Sequence, residues 1–102
     1  MSNRTSLQNL LEETLGSRNV YFQPPASVQM KYDAIVYSRK DIENRFSNNS
    51  VYKQDNAYEI IVIYEDPDSD LPERISQLPM CSFDRHYTSN NLNHDVFTLY
   101  HN

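Results

Sequence analysis

The chain has 102 residues, room for one domain and one core, because a chain of this size hides only about two-thirds of its unfolded surface on folding. Nine Lys and Arg against 14 Asp and Glu give a net charge of -5, and no basic stripe exists to neutralise nucleic-acid phosphates, which argues against direct DNA binding. The one cysteine, Cys81, excludes an internal disulfide and a multi-cysteine zinc site, and the one glycine, Gly16, excludes phosphate loops and dinucleotide fingerprints.

No apolar run approaches the roughly 20 residues of a membrane span, and the polar start MSNRTSLQ lacks the apolar stretch of a signal peptide, so a cytosolic product is expected. Hydrophobic residues make up 38% and mean hydropathy is -0.75. That is lean for a domain standing alone and points to apolar surface shared with a partner. Eight Tyr and four Phe without Trp fit the same reading, because a tyrosine packs one side of its ring while the hydroxyl meets water or a partner. Tyrosines on exposed strand faces account for them equally well.

In chain order, Leu7, Leu10, Leu11 and Leu15 form a one-faced helical stripe. Thr5 with Gln8 fits a capping box ahead of it, and Gly16 stops it. Val20-Tyr21-Phe22 reads as a short strand ended by Pro24-Pro25, which belong at an edge or in an extended arm. Met30 to Tyr37 reads as a second strand, weakened by Asp33 inside it. From Ser38 to Asn56 the chain is polar and reads as a long hairpin arm or loop, with a turn signal at Asn48-Asn49-Ser50. Tyr58 to Tyr64 is the strongest strand and the expected centre of the sheet.

Leu71 to Leu78 reads as a short second helix that Asp70 can cap, Pro72 suits and Pro79 ends, with Leu71, Ile75 and Leu78 buried. Phe83 to Tyr87 and Val96 to Tyr100 are two more strands, joined by a loop over Ser89 to Asn93. The expectation is one α+β domain over residues 1–102: a mostly antiparallel sheet of about four to five strands, an N-terminal helix and a second short helix.

Three constellations bear on chemistry. Asp66, Asp68 and Asp70 alternate like the opening of a calcium loop, but Leu71 stands where that loop turns on Gly and Gln77 where a bidentate Glu closes it. A turn and helix cap explain these acids better. Asp84, His86, His94 and Asp95 could face one another across a hairpin, and two histidines with a carboxylate can hold a transition metal. Strand register decides this, at most three of the four could converge, and a polar strand face with ion pairs through Arg85 is the preferred reading. Cys81 with His86 suggests a nucleophile and base, yet no third orienting residue is identifiable and a small half-buried Cys is expected instead. No catalytic residue, metal or cofactor is assigned, and the chain reads as a binding protein rather than an enzyme.

Lys31-Tyr32-Asp33-Ala34-Ile35-Val36-Tyr37, Tyr58-Glu59-Ile60-Ile61-Val62-Ile63, Leu78-Pro79-Met80-Cys81-Ser82-Phe83-Asp84-Arg85 and the closing Asn91-Leu92-Asn93-His94-Asp95-Val96-Phe97-Thr98-Leu99-Tyr100 together resemble the tail terminator (tail completion) proteins of tailed bacteriophages. Asp33 departs from the pattern, at a point where an uncharged residue is expected. The resemblance implies a virion structural protein, made in the bacterial host cytoplasm and placed at the tail and neck. It would form a homo-hexameric ring that caps the tail tube protein, joins neck and connector proteins, meets a sheath in a contractile tail, and lets DNA pass through its lumen without specific binding and without a membrane. A head-side connector or stopper is the alternative within the same class, and a small metal-binding or adaptor protein lies outside it. A head-to-tail ring needs two complementary surfaces on one subunit, with charged residues giving register and aromatic residues supplying contact area. The expected interface residues are Arg39, Arg45 and Phe46 in the polar arm, with Asp84, Arg85, His94 and Asp95 near the closing hairpin.

Overall fold

A computed structural model describes residues 3–40 and 56–101. Helix α1 spans Asn3–Leu15 and is followed by strands β1 (Val20–Phe22), β2 (Ala34–Arg39) and β3 (Asn56–Tyr64). A short helix α2 (Leu71–Ser76) then leads to β4 (Cys81–Ser89) and β5 (Leu92–His101). The strands form one sheet in the order β1-β2-β3-β5-β4, antiparallel except for the parallel pair β1-β2. The α+β reading of the sequence therefore holds, with five strands among the described residues.

Strand alternation sorts the sheet into two faces. Tyr58, Ile60, Val62 and Tyr64 of β3 share one face with Ile35 and Tyr37 of β2 and with Phe97 and Leu99 of β5. Leu7 and Leu11 of α1 and Leu71 and Ile75 of α2 join these residues in one buried cluster, with Leu10, Leu15 and Leu78 packed against it. At about 25 cal/mol per Å² of apolar area, burying each leucine or isoleucine contributes roughly 1.5–3 kcal/mol. On the other face Ala34, Ala57, Ile63 and Val96 are also buried.

Local chemistry explains most element ends. Gly16 takes φ +88 and its N–H bonds to the Glu12 carbonyl at 2.8 Å, closing α1 in the left-handed conformation that glycine adopts without a Cβ clash. The expected capping box does not form there: α1 begins at Asn3, so Thr5 and Gln8 lie inside the helix. Gln8 ties helix to sheet instead. Its Nε2 donates to Glu12 at 2.9 Å and to the Val20 carbonyl at 3.1 Å, while its Oε1 accepts from the Tyr37 hydroxyl. Asp70 precedes α2 without a side-chain cap and pairs with Arg74 at 3.2 Å, and the Ser69 hydroxyl receives the Leu71 N–H at 3.1 Å. Arg74 also donates to the Thr14 carbonyl at 2.7 Å, placing a cation at the C-terminal end of α1 where the helix dipole favours it.

The second strand starts later than expected, at Ala34 rather than Met30. Asp33 stays outside it, and its carboxylate accepts the Glu65 N–H at 3.3 Å. The polar arm over residues 41–55, with Arg45 and Phe46, lies outside the described residues. Among the described residues no helix is long and apolar enough to cross a membrane.

Candidate interaction edge

The sheet has two edges of different character. β1 offers three residues and runs into Pro24-Pro25. β4 offers nine, eight of them exposed, along the opposite edge. Two of the large exposed hydrophobic side chains sit on it, Phe83 at 57% and Tyr87 at 37%, Met80 at 65% immediately precedes it, and Tyr100 stands on the neighbouring strand. A long exposed strand with unpaired backbone groups and aromatic side chains is a template for pairing with another chain.

Strands β4 and β5 form a hairpin whose turn is Asn90-Asn91, at φ 54 and 63. Two successive left-handed residues give the tight turn whose twist matches paired strands, and asparagine tolerates that conformation better than other residues. The loop read over Ser89 to Asn93 is thus two residues long, because Ser89 and Asn93 belong to the strands. The register shifts between Phe83 and Arg85, which makes Asp84 the extra residue of a β-bulge.

That bulge decides which polar side chains meet. His86 lies opposite Asp95 on the helix-bearing face, and its Nδ1 is 2.5 Å from the Asp95 carboxylate. The same carboxylate oxygen accepts the Tyr64 hydroxyl at 2.9 Å, and Asp95 is only 8% exposed. Burial, with the hydrogen bond to Asp95 and its negative charge, pushes the Tyr64 phenol up to about 12. A carboxylate taken from water needs such donors, and Tyr64 and His86 supply them.

His94 points to the other face, stacked on Tyr87 with ring centroids 4.7 Å apart, and its Nδ1 lies 3.1 Å from the Leu92 carbonyl. Asp84 pairs with its neighbour Arg85 at 2.8 Å. Of the four residues considered for a metal, only His86 and Asp95 come together, and the described residues hold no group of three or more His, Cys, Asp or Glu. The three alternating acids form a turn: the Asp66 carboxylate accepts the Asp68 N–H at 2.9 Å, and Asp70 is engaged by Arg74.

Cys81 shares the helix-bearing face with His86 but stands five residues away, roughly 15 Å along a strand. Burial raises its thiol to about 11, which leaves little thiolate near neutral pH.

Among the expected interface residues, Asp84, Arg85, His94 and Asp95 all lie on the β4-β5 hairpin, with Asp95 turned inward as a structural group. Arg39 is at the far end of β2, its guanidinium 5.8 Å from the Tyr58 ring and separated from β4 by β3 and β5. The exposed Met80, Phe83 and Tyr87 were not among the expected contacts. Their signal was the edge position of the strand, which a single sequence does not carry.

Compared with known protein families, curated proteins and solved structures, the chain shows no match.

Proposed function

We propose that this chain is an assembly subunit of a tailed bacteriophage, a tail terminator that closes the tail tube as a hexameric ring and joins it to the neck. The supporting observation is the exposed β4 edge, with Met80 and Phe83 in the open and the charged pair Asp84 and Arg85 at its middle. Backbone groups on such an edge give affinity, aromatic side chains give contact area, and charges give register. Two of the four phrases that carry the phage resemblance, Leu78 to Arg85 and Asn91 to Tyr100, fall on the two sides of this hairpin, and the other two fall on β2 and β3. A net charge of -5 suits a lumen that lets DNA pass without gripping it.

The test is electron microscopy of phage particles made when the gene carries an early stop codon. Tails of uncontrolled length beside unjoined capsids are expected, because loss of the stop signal lets the tube grow. Tails of normal length left unattached would move the assignment to a head-side connector, and normal infectious particles would overturn both.

A further inference from the structure

The backbone of β4 is patterned in a way that a second copy of β4 matches. The Met80 carbonyl accepts the Tyr100 N–H at 3.1 Å, so Met80 points inward to β5. Alternation then turns Cys81 and Phe83 outward and Ser82 inward. From the other end, Ser89 and Leu92 close a two-residue turn and exchange bonds, so Thr88 and His86 face outward, and Tyr87 and Arg85 inward. The outward residues are therefore Cys81, Phe83, His86 and Thr88, with a break in the two-residue rhythm at Asp84.

A regular strand laid along β4 falls out of step at that break. A second β4 run antiparallel does not. With a two-fold axis between Asp84 and Arg85, Cys81 falls opposite Thr88 of the other copy and Phe83 opposite its His86, so that every outward residue meets an outward residue. The side chains agree as well, because Cys81, Phe83, His86 and Thr88 all belong to the helix-bearing face and Ser82 and Tyr87 to the other. At the axis, Asp84 of each copy meets Arg85 of its mate.

We propose that this chain pairs with a second copy of itself along β4, antiparallel about a two-fold axis between Asp84 and Arg85, making one continuous sheet across the pair. Four facing residue pairs exchange about eight backbone hydrogen bonds. The exposed Phe83 ring of each copy is covered by the His86 region of the other, and the ion pair that Asp84 and Arg85 make within one chain is exchanged for two between chains. The bulge that excludes ordinary strands is tolerated because the two-fold axis supplies its own match. This pairing is a property of the free chain; it occupies the same β4 edge as the proposed ring contact, so the pair must open before a subunit enters a ring.

Sedimentation of the unaltered protein over a concentration series is expected to show a species of twice the 12.0 kDa chain mass. Arg85→Asp should weaken association at least tenfold by setting like charges against each other twice, and adding Asp84→Arg should restore it. In a Cys81→Ser background, Ser82→Cys combined with Tyr87→Cys should link two chains on mild oxidation, since residue 82 faces residue 87 of the mate. Either cysteine alone should not, because equivalent positions lie roughly 17 Å apart. A monomer at every concentration overturns the pairing, as does equal linking by the single-cysteine proteins.

Discussion

Replacing Asp95 by alanine strips the β4-β5 hairpin of its buried acceptor, and the cost can be worked from its partners. The Tyr64 hydroxyl, donating at 2.9 Å from a residue that is itself buried, is left without an acceptor, at about 1–3 kcal/mol. The His86 contact adds less, about 0.5–1 kcal/mol, because that imidazole is 45% exposed and water takes up its loss. The sum is about 3 kcal/mol, equivalent to a fall in Tm of roughly 15 °C for a domain of this size. Urea unfolding of Asp95→Ala, Tyr64→Phe and the double variant measures it. Because both changes remove the same bond, the double variant should be more stable than the sum of the single losses by about 1–2 kcal/mol. Losses that add to within about 0.5 kcal/mol, or a loss below about 1 kcal/mol for Asp95→Ala, would refute the reasoning.

Gly16→Ala should destabilise by about 1 kcal/mol in thermal unfolding. An added Cβ meets nothing within 4 Å, so the whole cost is that of holding alanine at φ +88. Cys81 should alkylate slowly with iodoacetamide at pH 8 in the folded protein and quickly in denaturant, since its thiol lies near 11 only while buried. The Tyr64 phenol is raised from 10.0 to about 12 on folding, so its contribution to stability is complete below pH 10 and is lost as pH rises through 12. Tyr64→Phe should therefore show a shallower fall in stability over pH 10 to 12, followed by urea midpoints at each pH.

Much of this was legible in the sequence for identifiable reasons. The leucine stripe of α1, the apolar run of β3 and the Asp-Pro punctuation before α2 are local patterns, and each element lies where its pattern places it. What escaped was set by neighbours. Thr5 and Gln8 lie inside α1, which begins at Asn3, and Gln8 bonds to Tyr37 and Val20, residues that only the folded sheet brings close. The strand from Met30 began late because Asp33 serves the backbone of Glu65 across the sheet. The hairpin cluster was found as a set, but its division between faces was not, because one extra residue at Asp84 moves every preceding side chain to the other parity.

The strand order also fixes a sequence of events. β3, the central strand, gains β2 as a neighbour from the chain made before it, but its other neighbour, β5, follows α2 and β4. Until β5 has been made, β3 presents a bare edge that includes Tyr58, Ile60 and Val62, nine residues of strand open to any extended chain nearby. Once β5 has been made, the tight Asn90-Asn91 turn lets β4 and β5 zip locally within microseconds and dock on β3 as a preformed ribbon. The residues of that turn thus govern how quickly the bare edge is covered once β5 exists, a kinetic role separate from anything they contribute to the finished fold.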